Sequence, residues 1–216
     1  MKSILLIGMG KFGQTLGEEL LKMGADVMIV DRQEELINRL ASKYSSALIA
    51  NCMNADNLKT MDIPSFDACV VAIGDDFQSS LEITSLLKEL GAKYVVSKAT
   101  TEIQRKFLLR NGADEVIYPD RDIAEKLAVK LNAFRVFDYI ELSSEYSIIE
   151  FAVPTVWQGK TLSEINPRKN FDVNILTVKN ADVVKVPTAE YAFSEGDHAV
   201  AFGKTENLLS LSKRKK

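Results

Sequence analysis

Hydrophobic and polar positions follow two different rhythms along this chain. Through residues 1–134, short apolar runs rich in β-branched residues are separated by longer stretches with apolar positions at helical spacing, the pattern of successive βα units around a parallel sheet. The runs predict strands at Ser3–Ile7, Asp26–Val30, Ala47–Ala50, Ala68–Ile73, Tyr94–Lys98 and Glu115–Tyr118. Their nearly unbroken apolar character predicts burial on both faces, because a strand with one wet face would alternate. Between them, Phe12, Leu16, Leu20 and Met23 fall on one helical stripe, and Leu36, Ile37 and Leu40 mark a second. Gly24, Gly91 and Gly112 each stand just after an expected helix, where a left-handed residue is wanted. The segment Asp120–Phe134 carries Ile123, Leu127, Val129 and Leu131 and predicts a further helix.

From Arg135 onward the texture changes. Pro154, Gly159, Pro167, Pro187 and Gly196 punctuate short alternating runs such as Ser147–Val153, Asn174–Lys179 and His198–Phe202. The expected fold class is therefore α/β: a Rossmann-type, doubly wound parallel sheet over residues 1–134, followed by a small α+β lobe over residues 135–216.

Gly8-Met9-Gly10-Lys11-Phe12-Gly13 is a G-x-G-x-x-G pattern, weak alone, but here it follows a strand, opens a helix and precedes a second strand ending in Asp31. Gly8 permits the tight turn, Gly10 lets backbone approach phosphates, and Gly13 lets the helix pack close to the sheet. Phosphate charge then meets free N–H groups and the positive end of the helix dipole, with Phe12 inside that loop. Asp31 stands near the offset at which a carboxylate accepts hydrogen bonds from ribose hydroxyls. An acid there disfavours a 2′-phosphate and hence NADP, and the adjacent Arg32 weakens that exclusion. NAD, ATP, ADP and AMP share the adenosine half and are not separated by the motif.

Later strand ends should face the same crevice, since ligands of doubly wound sheets sit outside the carboxyl ends of the strands. That nominates Ala50, Asn51 and Cys52 for the adenine side, Ala72, Ile73, Gly74 and Asp75 for ribose and phosphates, and Ser97, Lys98 and Ala99 for a terminal phosphate. Lys11 and Lys98 are the cations expected on phosphate oxygens, with a solvated surface lysine as the alternative for each.

Composition narrows the function. The 216 residues are 46% hydrophobic and 26% charged, ordinary for a globular protein and too apolar for disorder. A net charge of −3 disfavours a nucleic-acid partner, which needs clustered Lys and Arg. The basic run Lys213–Lys216 reads as a solvated tail. Two cysteines, Cys52 and Cys69, exclude a disulfide framework, and a single histidine, His198, argues against zinc. The apolar start Ile4–Ile7 is too short for a signal peptide, and no stretch reaches the roughly 20 residues of a membrane span. The expectation is a cytoplasmic protein without direct membrane insertion.

Taken together, these motifs resemble the cytoplasmic regulatory subunits of Ktr and Trk potassium transporters, built from an RCK (regulator of potassium conductance) N-lobe and C-lobe. The resemblance rests on the glycine motif, Val70-Val71-Ala72-Ile73-Gly74, Lys98-Ala99, and Asn111-Gly112-Ala113-Asp114-Glu115-Val116-Ile117-Tyr118-Pro119. It continues through Gly159-Lys160-Thr161-Leu162, Pro187, Glu195-Gly196-Asp197 and Phe202-Gly203, and so covers nearly the whole chain. It implies a homodimer assembling to an octameric ring on a membrane-embedded potassium transporter subunit. It further implies that ATP and ADP, or NAD and NADH, exchange in the Rossmann pockets as signals. Relatives usually carry arginine where this chain has Lys11, and glutamate after the proline, where Asp120 keeps a carboxylate for a divalent or monovalent cation bridging subunits. The resemblance also implies a cyclic di-AMP groove between paired C-lobes, for which Asn174, Ile175, Pro187 and His198 occupy compatible positions. Core and turn residues of a dimerising lobe are the alternative for those four.

The rival reading is a small NAD-dependent oxidoreductase, which the fold and Asp31 fit equally well. Hydride transfer to a carbonyl needs a proton donor by the nicotinamide. His198 lies instead in a C-lobe turn, and no Tyr-x-x-x-Lys helix is present. The sequence therefore assigns no catalytic residue.

Overall fold

The fold is that of a computed structural model, which describes residues 1–132, 136–181 and 183–212. It divides into two compact units, Met1–Asp120 and Arg121–Lys216. The boundary expected at residues 134 and 135 and the basic run Lys213–Lys216 lie outside the described residues.

In the first unit, βα units follow one another as β1 (Ser3–Ile7), α1 (Lys11–Lys22), β2 (Asp26–Asp31), α2 (Glu34–Leu40), β3 (Ser46–Ile49), α3 (Ala55–Lys59), β4 (Ala68–Val71), α4 (Phe77–Glu89), β5 (Val95–Lys98), α5 (Glu102–Arg110) and β6 (Glu115–Ile117). The six strands form one parallel sheet in the order β3-β2-β1-β4-β5-β6. This order reverses direction between β1 and β4, the switch point at which doubly wound sheets open a crevice.

Alternate residues of the central strands feed two cores. Leu5, Ile7, Val30, Cys69 and Val71 pack with Leu58, Ile83 and Leu87 on one face. Ile4, Leu6, Val27, Ile29 and Val70 pack with Ile37 and Leu40 on the other. Burial on both faces is as the apolar runs predict for the central strands, whereas the edge strands β3 and β6, each with one neighbour, are half-buried to exposed. Gly24, Gly91 and Gly112 have φ of 78°, 85° and 104° after α1, α4 and α5, the left-handed stops expected there.

Two expectations shift. Met23 is 80% exposed, because α1 ends at Lys22 and Met23 is its C-cap, off the buried stripe of Phe12, Leu16 and Leu20. Strand β4 ends at Val71, so Ala72 and Ile73 belong to the turn that lines the crevice.

A helix, α6 (Pro119–Asn132), carries the expected apolar residues. Only Val129 packs against the second unit's core, whereas Ile123, Leu127 and Leu131 are exposed. The second unit continues with β7 (Val136–Glu141), β8 (Tyr146–Ala152), α7 (Leu162–Ile165), α8 (Pro167–Phe171), β9 (Val173–Asn180), β10 (Val183–Lys185), β11 (His198–Lys204) and α9 (Thr205–Ser212). Its strands form an antiparallel sheet in the order β10-β9-β11-β8-β7. Ile149, Phe151, Ala199 and Ala201 bury one face of it against Trp157, Phe193, Leu208 and Leu211. Among the described residues, no helix is long and apolar enough to cross a membrane.

Candidate functional site

The crevice at the switch point is a cleft of about 480 Å³ in the first unit, a volume in the range of small-molecule sites. Residues from the ends of five strands, β1 to β5, and the turns after them line it. Gly8 and Gly10 come from the β1–α1 loop, Lys11 and Phe12 from the first turn of α1, and Asp31 and Arg32 from the end of β2. Asn51 and Cys52 follow β3, Ala72, Ile73 and Gly74 follow β4, and Lys98 ends β5.

Of the glycine motif, Gly13 does not line the cleft. It sits one turn into α1, where a Cβ would overlap the carbonyl oxygen of Gly8 and stand 3.5 Å from the Cβ of Ala72. Close packing of helix on loop is the role expected of it. Gly8 has φ of 94°, and a Cβ on it would meet Cγ1 of Ile73 at 2.9 Å. Gly10 is different in kind. Its φ of −64° suits any residue, and a Cβ there would meet nothing within 4 Å.

Gly10 is also the N-cap of α1, and that helix start has neither a side-chain cap nor an acid in its first turn. Helix N-termini are ordinarily satisfied by such groups or by a bound anion. A terminus left bare beside open space fits a phosphate group. Lys98 reaches over this region, its Nζ 5.6 Å from the ring centre of Phe12 and close above Gly74, so that a Cβ on Gly74 would stand 2.9 Å from it. Lys11, which also lines the cleft, is exposed.

Asp31 holds the loop from below. Its Oδ2 accepts from the Met9 N–H at 2.7 Å, and its Oδ1 accepts from the Gln33 N–H at 2.9 Å. Cys52 is a buried thiol within the apolar core, and burial, together with the negative charge of Asp31, pushes its pKa up to about 12. It offers apolar surface for a flat ring, and not a nucleophile.

Ser97 and Ala99 are buried and do not line the cleft; Ser97 Oγ is 2.8 Å from Thr84 Oγ1. Sequence reasoning missed Gln33, Met53, Asp76, Ser79 and Ile83, which do line it. The signal for Asp76 and Ser79 is an N-cap at the start of α4. Asp76 Oδ1 accepts from the Ser79 N–H at 3.1 Å and its Oδ2 from the Ser79 hydroxyl at 2.7 Å, which hold the Asp76 carboxyl below its ordinary pKa. Among the described residues, no histidine or tyrosine lines the cleft.

The remaining candidates are dispersed. Asp120 is exposed in the first turn of α6, and among the described residues no three His, Cys, Asp or Glu side chains gather to hold a metal ion. In the second unit, Asn174 and Ile175 line a cleft of about 390 Å³ with Arg168, whose Nη2 donates to Asn174 Oδ1 at 3.0 Å. Pro187 and His198 do not line it. His198 stacks on Phe137 with ring centres 4.0 Å apart, and its Nδ1 is 3.2 Å from Glu150 Oε1. Glu150 also accepts from Lys179 at 2.6 Å. Burial pushes the Glu150 carboxyl up, but the hydrogen bonds from Lys179 and His198 outweigh it and hold the pKa below its ordinary value.

Comparison with known proteins agrees with this architecture. Residues 4–119 match the TrkA-N domain family and residues 147–216 the TrkA-C domain family. The chain is 35% identical to Ktr system potassium uptake protein A of Bacillus subtilis, covering 96% of this chain and 94% of that one. It is 32% identical to Ktr system potassium uptake protein C of the same organism, covering 99% and 97%. In fold it is similar to a GsuK channel bound to NAD, with a TM-score of 0.72 at 16% identity, covering all of this chain and 40% of that one.

Proposed function

This chain belongs to the TrkA-N/TrkA-C family of potassium-uptake proteins, and we propose on that premise that it is the nucleotide-sensing regulatory subunit of a potassium transporter. The observation that carries the reading is the bare start of α1: Gly10 faces open space, no side chain caps the helix, and Lys98 stands over it. Such a terminus receives phosphate through backbone N–H groups and the helix dipole. Lys11 and Lys98 add point charges for terminal phosphate oxygens, Asp31 meets ribose hydroxyls, and Asn51 and Cys52 border the adenine. ATP, ADP and NAD all fit this division of labour.

The nucleotide serves here as a signal. A ligand shifts a conformational equilibrium only by its differential affinity for the two states, so the γ-phosphate must supply the difference between ATP and ADP. A cation held at Asp120 between subunits of a ring would add to it. The partners in this reading are further copies of the chain, as homodimers in an octameric ring, and a membrane-embedded transporter subunit that the protein reaches from the cytoplasm. Cyclic di-AMP at a groove between paired second units, with Asn174, Ile175, Pro187 and His198, is a further ligand of this reading. The curated relatives, which are potassium uptake proteins, favour this reading over the oxidoreductase.

Calorimetry with ATP, ADP, NAD and NADH tests the site, and solution scattering tests the signal. ATP and ADP should bind with micromolar-class affinity and give an assembly whose shape differs between them, and Asp120→Ala should blunt that difference. A monomer that binds NADH far more tightly than ATP and oxidises it with a carbonyl substrate would defeat the proposal.

A further inference from the structure

The glycine loop is fastened to the sheet through side chains as well as backbone. Gly8 N–H donates to the carbonyl of Val30 at 2.9 Å, and one residue further on Met9 N–H donates to Asp31 Oδ2 at 2.7 Å. The carbonyl of Met9 in turn accepts from Gln14 Nε2 at 2.8 Å, so both polar groups of this residue end on side chains. Met9 itself is fully buried, which leaves its N–H no route to bulk water if the carboxylate is lost. The other oxygen of Asp31 is held by the Gln33 N–H, so the carboxylate is pinned at both ends with its plane fixed.

We infer that Asp31 is a positioning residue for the phosphate loop, acting through its bond to Met9 N–H, in addition to any contact it makes with a ribose. The inference rests on the nucleotide reading of the cleft. Each carboxylate oxygen has two acceptor sites and spends one on backbone, so a ribose hydroxyl can be met without releasing the loop. Asp31 therefore acts on phosphate binding even when the ligand offers no ribose hydroxyl. Asparagine in its place presents one acceptor and one NH₂ group, so it satisfies one of the two N–H donors and faces the other with a donor.

The test uses the full-length chain, its Asp31→Ala and Asp31→Asn variants, and two ligands, ATP and 2′,3′-dideoxy-ATP, which lacks both ribose hydroxyls. In ligand-free protein, Asp31→Ala should raise amide hydrogen exchange at Gly8 and Met9, the two hydrogen-bonded amides of the loop, about tenfold, the scale of one charge-assisted bond, while β4, β5 and β6 keep their protection. The same variant should weaken dideoxy-ATP binding by roughly tenfold, with Asp31→Asn between it and the parent. Unchanged loop exchange overturns the inference. So does loss of ATP binding with dideoxy-ATP bound as tightly as in the parent, which confines Asp31 to the ribose. If the parent binds neither nucleotide, the proposed function fails and the exchange measurement alone decides the role of Asp31.

Discussion

Two alanine substitutions three residues apart should fail in opposite ways. At Gly13 the new Cβ would overlap the Gly8 carbonyl oxygen and stand 3.2 Å from its carbon. Neither atom can yield easily, since both belong to a backbone held by the Gly8 N–H bond to Val30. Helix α1 must back away from the loop, an overpacking penalty of about 1–3 kcal/mol. If the retreat breaks the Met9 N–H bond to Asp31, a buried donor is left unmade, adding about 1–3 kcal/mol. Gly13→Ala should therefore lose roughly 1–3 kcal/mol of stability if the Met9 bond survives and roughly 2–6 kcal/mol if it breaks. At Gly10 a Cβ meets nothing and φ is already −64°. The entropy gained over glycine, about 0.4–1 kcal/mol, is opposed by alanine's poorer N-capping, so the net change should stay within about 1 kcal/mol. That Cβ projects where phosphate would approach the backbone, and nucleotide affinity should drop by tenfold or more, as one or two charge-assisted hydrogen bonds of about 1.5–3 kcal/mol are lost. Denaturant unfolding and calorimetry on both variants check this. A Gly10→Ala protein that binds ATP as the parent does would refute the placement of phosphate on the glycine loop.

Lys11→Ala should weaken ATP more than ADP, because the γ-phosphate adds charge; equal losses at fixed salt would return Lys11 to a solvated surface role. Cys52, with its pKa pushed up to about 12 by burial, should resist alkylation at pH 8 in the folded chain and react only under denaturant, as mass spectrometry of the native protein would reveal. Glu150 has a folded-state pKa below its ordinary 4.5, so the stability it contributes is fully present above that value and is lost as pH falls through the folded pKa. Replacing it by Glu150→Gln should flatten the acid limb of the unfolding midpoint against pH, and an unaltered limb would show that the Lys179 and His198 contacts contribute nothing there.

The first unit is highly legible because one physical demand writes each of its signals. Strands buried on both faces must be apolar throughout, and β1 matches its expected bounds at Ser3–Ile7. Gly8 and Gly13 are readable because each answers a constraint of space or φ within the chain, whereas Gly10 meets neither and is read only from its place in the motif. Asp76 and Ser79 escaped, since an N-cap pair looks the same whether or not its helix opens on a cleft. Ser97 and Ala99 were overreached: alternation along β5 turns neighbours of Lys98 inward, so adjacency in sequence is not adjacency in the cleft. Met23 was misplaced because periodicity alone does not know where a helix stops. In the second unit, Pro187 and His198 stand apart from the cleft beside Asn174, a separation set by strand register that no local pattern encodes.

Every described residue lining the cleft falls between Ile7 and Lys98, inside the unit that ends at Asp120. On the proposed reading, the contacts one chain makes with a nucleotide lie in fewer than half of its residues, and assembly or a partner acts on the bound nucleotide by changing the free energy of this unit with its ligand. Linkage makes that influence measurable in both directions. Any amount by which assembly or a transporter partner tightens ATP over ADP must return, undiminished, as the amount by which ATP over ADP favours that assembly. Two dissociation constants measured with and without the partner would therefore give the mechanical work available to a gate, without observing the gate at all.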